Sequence, residues 1–150
     1  PMKFRFVGNI GDSITDIFKS VNLENILEII SYVPHRESVR YLRTSTAAFF
    51  VVRRTKKNEG ILSGKLFDYL GSRKPIICIG PEDGNASKIV NECKAGKVID
   101  YENKEGMISF LQKLINDWKN NTDLDLTDET YLKYSRKNLA GEVAGIINLF

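Results

Sequence analysis

Strand-like and helix-like patterns alternate along the chain. Lys3 to Val7 reads as a strand ended by Gly8. Ile14, Ile17, Phe18 and Val21 then recur at helical spacing, predicting a helix over 13–20 with Asp12 or Ser13 as its N-cap. Ile26 to Tyr32 is a second strand, closed by Val33-Pro34, and a short helix over 36–43 turns Val39 and Leu42 to the core. Ala47 to Arg53 is a third strand, apolar on both faces, as a central parallel strand requires. A basic and polar loop follows over 54–62. A helix then runs from about Gly64 to Leu70, with Gly71 as its stop. Lys74 to Gly80 is a fourth strand with Pro75 at its tolerated beginning, Asn85 to Cys93 a helix, and Gly96 to Asp100 a fifth strand. Met107, Leu111, Leu114 and Trp118 mark a helix over 103–119; Asn120 to Glu129 is a polar, acidic linker. Leu139, Val143, Ile146, Ile147 and Phe150 line one face of a last helix. Strands separated by helices imply an α/β fold with a mainly parallel sheet covered on both faces. In such sheets, ligands bind beyond the carboxyl ends of the strands.

Composition adds bounds. The 150 residues suit one domain, and 42% hydrophobic with 27% charged residues is the balance of a globular chain with a real core. A net charge of +3 with one histidine is too mild to point to nucleic acid. Cys78 and Cys93 are far apart and make no metal-ligand pattern; Cys78, inside an apolar run, reads as a buried, inert thiol, which fits a reducing cytoplasm. The aromatics Phe4, Phe6, Phe49, Phe50, Phe67 and Trp118 read as core. No apolar run approaches membrane-spanning length and no signal peptide is visible. Pro1-Met2 reads as an expression boundary, so the chain is expected to be a piece of a longer protein.

The chemistry concentrates in Ser63-Gly64-Lys65-Leu66-Phe67-Asp68. A small-residue turn and a lysine open a helix, whose unpaired N–H groups and positive dipole end suit a phosphate. A carboxylate follows three residues later. It can accept two hydroxyl hydrogen bonds of the kind a ribose offers.

Leu62-Ser63-Gly64-Lys65-Leu66-Phe67-Asp68-Tyr69-Leu70 with Lys74-Pro75-Ile76 resembles the donor-site segment of bacterial GT-B glycosyltransferases of the retaining, glycogen-synthase-like type (group 1 glycosyl transferases). Tyr32-Val33-Pro34-His35-Arg36-Glu37 resembles their strand-end segment before the central strand, and Gly80-Pro81-Glu82-Asp83-Gly84 their next strand-end loop. The resemblance implies a Rossmann-like domain with a mainly parallel sheet of five to six strands and helices on both faces. It implies the C-terminal, donor-binding half of a transferase that moves a sugar from a nucleotide-diphosphate sugar to a glycan or lipid-linked acceptor. The first strand and the N-terminal acceptor domain would be missing, so the fragment would be inactive alone. Ser63, Gly64 and Lys65 would face the diphosphate. Asp68, one methylene shorter than the usual glutamate, would bind the ribose hydroxyls. The partner carboxylate's place falls at Gly60, one beyond Glu59, and both are assigned to the sugar. Val33, Pro34 and His35 would lie against the base. No cofactor and no metal are implied beyond the nucleotide sugar itself. The setting would be cytoplasmic, at or near the inner face of the membrane, in polysaccharide biosynthesis.

Plainer readings stand beside these. Lys65 could be a solvated helix-start lysine, Asp68 a partner of the helix dipole, and His35 a cap. Arg53-Arg54-Thr55-Lys56-Lys57 is open between a solvated loop, a diphosphate contact and an acidic-membrane contact. A nucleotide-sugar 2-epimerase shares the fold but usually carries a Gly-Ser-Gly-Gly-type segment, absent here. Another alternative is a non-catalytic Rossmann-like binding module. A receiver-type module needs an aspartate after the third strand, where this chain has Arg53-Arg54.

Overall fold

The computed structural model describes residues 2–122 and 129–149. The chain divides into two compact units, Pro1–Tyr41 and Leu42–Phe150.

The first unit pairs β1 (Phe4–Val7) and β2 (Leu27–Ile30) in parallel, Phe4 opposite Leu27 and Val7 opposite Ile30. Between them lie α1 (Asp12–Ser20) and a 3-10 turn at Glu24–Ile26, and α2 (His35–Arg43) follows β2. Phe4 and Phe6 share a face of β1 and meet Phe18 of α1, ring centroids 5.7 and 6.4 Å away. On the opposite face Arg5 pairs with Glu28 at 2.7 Å and lies over the Tyr41 ring of α2. The cap of α1 is Gly11 rather than the expected Asp12 or Ser13, and no side chain caps it. None of the described residues of this unit is fully buried; a stretch of this size encloses too little volume to seal side chains from water.

The second unit holds three parallel strands, β3 (Ala48–Val51), β4 (Ile76–Ile79) and β5 (Gly96–Ile99), in the order β3-β4-β5. α3 (Gly64–Ser72) and α4 (Asn85–Glu92) pack on one face, through a core that includes Phe50, Val52, Leu66, Leu70, Ile76, Cys78, Val90 and Val98. α5 (Lys104–Lys119) covers the other face, where Phe110 and Leu114 meet Ile77 and Ile99. A 3-10 stretch at Glu129–Tyr134 packs Tyr131 and Tyr134 against the first of these cores, and α6 (Arg136–Ile147) follows.

The α/β character, the parallel pairing and the order of elements are those expected. Several expectations are corrected. The described residues form sheets of two and three strands, not one sheet of five to six; alternating patterns count strands but do not say which of them hydrogen-bond. β3 is therefore an end strand of its sheet; Ala48 and Phe50, with Val52 just beyond it, are buried, while Phe49 and Val51 on the opposite face are 36% and 50% exposed. α3 runs past Gly71: the Ser72 hydroxyl bonds the Tyr69 carbonyl, and the left-handed cap is Arg73, whose N–H donates to the Leu70 carbonyl. Of the aromatics assigned to the core, Phe50 is buried and Phe4, Phe6 and Phe67 half-buried, but Trp118 is 63% exposed, because α5 turns Phe110 and Leu114 inward instead. The apolar face of α6 is exposed throughout its described residues. Phe150 and most of the polar linker, 123–128, lie outside the described residues. No helix among the described residues is long and apolar enough to cross a membrane.

Cys78 is wholly buried, as expected, and burial pushes its thiol up to about 12. The folded chain then keeps this proton where the unfolded chain, with an ordinary thiol, has lost it. Stability from this site is complete at neutral pH and falls as pH rises from about 9 toward 12. Cys78 is accordingly expected to resist thiol reagents at pH 8 until the chain unfolds, measurable by mass spectrometry of labelled peptides.

Candidate functional site

The carboxyl ends of β3, β4 and β5 carry the second unit's polar loops. After β3 the chain runs through Arg53 to Lys57, makes a 3-10 turn at Asn58–Gly60, and enters α3. The start of α3 follows from its residues. Ser63 is the N-cap, its Oγ accepting the Lys65 N–H at 3.3 Å. Leu66 and Leu70, 0% and 4% exposed, fix the helix to the sheet. That leaves Lys65 exposed and Asp68, one turn along, half-buried.

This start offers fewer donors than three free amides. The Lys65 N–H is held by Ser63 Oγ and the Leu66 N–H donates to the Ser63 carbonyl at 3.0 Å. Among the described residues, the Ser63 and Gly64 N–H groups and the Lys65 ammonium remain as the donors for an anion there. Space allows the approach: a β carbon built on Gly64 meets nothing within 4 Å. Next to Asp68, Tyr69 packs edge-on against Phe50 at 6.1 Å, and burial, then the Asp68 charge, pushes its phenol above the ordinary range.

The neighbouring loops interlock. A β carbon at Gly84 would lie 2.9 Å from Pro81 Cγ and 3.2 Å from the Glu59 carbonyl, so a glycine lets the Gly80–Gly84 loop sit directly on the 58–60 turn. Glu82 accepts the Asp100 N–H at 3.2 Å, joining that loop to the end of β5. Arg54 pairs with Glu102 at 2.6 Å and lies 5.3 Å over the Tyr101 ring. Both partners are about 70% exposed, so this pair adds little stability.

Ser63, Gly64, Lys65, Asp68, Glu59 and Gly60 are thus brought together on one turn-and-helix segment. Val33, Pro34 and His35 belong to the first unit, at the junction of β2 and α2. There Val33 and His35 line an open cavity of about 270 Å³ with Val7, Gly8, Tyr32 and Ser38. The Pro34 carbonyl is occupied by the Glu37 and Ser38 N–H groups, at 2.9 and 3.1 Å. Sequence reasoning passed over Asn58 and Tyr101. The Asn58 side-chain amide donates to the Tyr101 hydroxyl at 2.8 Å, and that hydroxyl donates to the Val52 carbonyl at 2.7 Å. The contact joins residues 43 apart and has no local signature. No group of three or more His, Cys, Asp or Glu side chains poised for a metal occurs among the described residues. No family model matches the chain, and no curated protein matches it either.

Proposed function

We propose that this chain is the donor-binding half of a glycosyltransferase, taking a sugar from a nucleotide-diphosphate sugar to a glycan or lipid-linked acceptor. The observation that carries this reading is the gathering of Glu59, Gly60, Ser63 to Lys65 and Asp68 on one loop-and-helix segment. It lies at the carboxyl end of a parallel sheet, the edge where α/β proteins hold ligands.

Breaking a sugar–phosphate bond leaves negative charge on the departing diphosphate. The Ser63 and Gly64 N–H groups, the Lys65 ammonium and the positive end of α3 stabilise that charge as it develops. Asp68 accepts the two ribose hydroxyls and orients the nucleotide, and Glu59 and Gly60 face the hexose. The acceptor is supplied by a further domain, and the enzyme works in the cytoplasm.

A titration with UDP, GDP and ADP and with their hexose conjugates, followed by backbone amide shifts, tests the reading. Saturable shifts are expected from Glu59 through Asp68 and in Gly80 to Gly84. Saturating nucleotide that leaves Gly64 to Asp68 unmoved would remove the donor site.

A further inference from the structure

The 53–60 loop is polar and mostly exposed, yet Asn58 in its middle is only 9% exposed. The chain makes an unusual turn to bury it. Lys57, immediately before, sits in the left-handed region at φ 63°, a conformation a non-glycine residue adopts only when its surroundings hold it there. Asn58 then reaches the Tyr101 hydroxyl at 2.8 Å and the Arg53 carbonyl at 3.3 Å. The hydroxyl donates in turn to the Val52 carbonyl, so this small buried network has a partner for every donor it uses. On the other side of the turn, the Glu59 carbonyl rests against Gly84. The face of the same Tyr101 ring carries Arg54. One tyrosine therefore holds Asn58, the residue before Glu59, through its hydroxyl and an exposed cation through its ring.

We infer that Tyr101, acting through Asn58, is a positioning residue for the sugar end of the donor, holding Glu59 and Gly60 in the geometry that meets the hexose. This rests on the donor-site reading above. Its two handles are separable. The hydroxyl governs the 58–60 turn, and with it the sugar. The ring carries Arg54, which is paired with Glu102.

The test compares wild type, Tyr101→Phe and Tyr101→Leu by calorimetric titration with UDP, GDP and ADP and with UDP-glucose, GDP-mannose and ADP-glucose. Amide hydrogen exchange is followed in parallel. Tyr101→Phe keeps the ring. It is expected to weaken the nucleotide sugar about tenfold while leaving the free nucleoside diphosphate within about twofold, and to speed exchange at Asn58 to Ile61. Tyr101→Leu also removes the hydroxyl and is expected to show the same selective loss of the nucleotide sugar; should it fail to fold, Tyr101→Phe carries the test alone. Equal losses for both ligand types in Tyr101→Phe, or no loss for either, overturn the positioning role while the donor site stands. A wild-type chain that binds none of these nucleotides overturns the donor site, and this inference with it.

Discussion

Replacing Gly96 by alanine is expected to unfold the second unit or to destabilise it by about 4 kcal/mol or more, a fall in melting temperature of about 15 °C or more for a domain of this size. Gly96 opens β5 at φ +155°, which side-chain-bearing residues avoid. A β carbon there would lie 2.0 Å from the Ile76 carbonyl oxygen, 2.6 Å from its nitrogen and 2.8 Å from its carbonyl carbon. These are backbone atoms of the central strand and cannot step aside. Ile76 is 0% exposed, its N–H donates to the Ala95 carbonyl at 2.8 Å, and it stands opposite Gly96 in the register of β4 and β5. Relief would mean separating the two strands. Gly71 is the internal contrast. It lies inside α3, and a β carbon there meets nothing within 4 Å. Gly71→Ala is expected to stabilise by up to about 1 kcal/mol. Thermal melts by circular dichroism read both; a Gly96→Ala midpoint equal to wild type would refute the clash.

Asp68→Ala is expected to weaken nucleotide binding about 10- to 100-fold, the worth of charge-assisted hydrogen bonds to two ribose hydroxyls. The fold should survive, because the buried Leu66 and Leu70 hold α3 to the sheet. Asp68→Glu, with the same charge on a longer stem, should keep most of the affinity, whereas Asp68→Asn should lose much of it. Calorimetry of the three variants beside their melting curves distinguishes a lost ligand contact from a loosened helix. Affinity unchanged in Asp68→Ala would take this residue out of the site.

Much of the architecture is visible in the chain because its causes are local. Ser63 caps the helix it precedes, Pro75 stands just before its strand, and the apolar run Ile76-Ile77-Cys78 is buried where a parallel strand is expected. What escaped is set by distant partners. Gly71 looks like a helix stop, but burial of Ser72 and the seat of Arg73 over the Tyr131 ring carry α3 onward to a left-handed arginine. Trp118 keeps the helical period of α5, yet period alone does not tell a core position from one at the edge of the packed stripe. The candidate site divides the same way. Its turn, lysine and carboxylate lie within one short segment and are legible. Asn58 and Tyr101 sit in polar surroundings, and only the fold reveals that they meet.

The absence of any sealed side chain in residues 2–41 bears on how this chain's stability is measured. Amides of β1 and β2 will exchange through small local openings, long before those around Leu66 and Ile99. The chain's single tryptophan, at position 118, belongs to the other unit, so its emission is no direct reporter of those openings. A melting curve read from that one reporter would assign to the whole chain a cooperativity that belongs to residues 42–150.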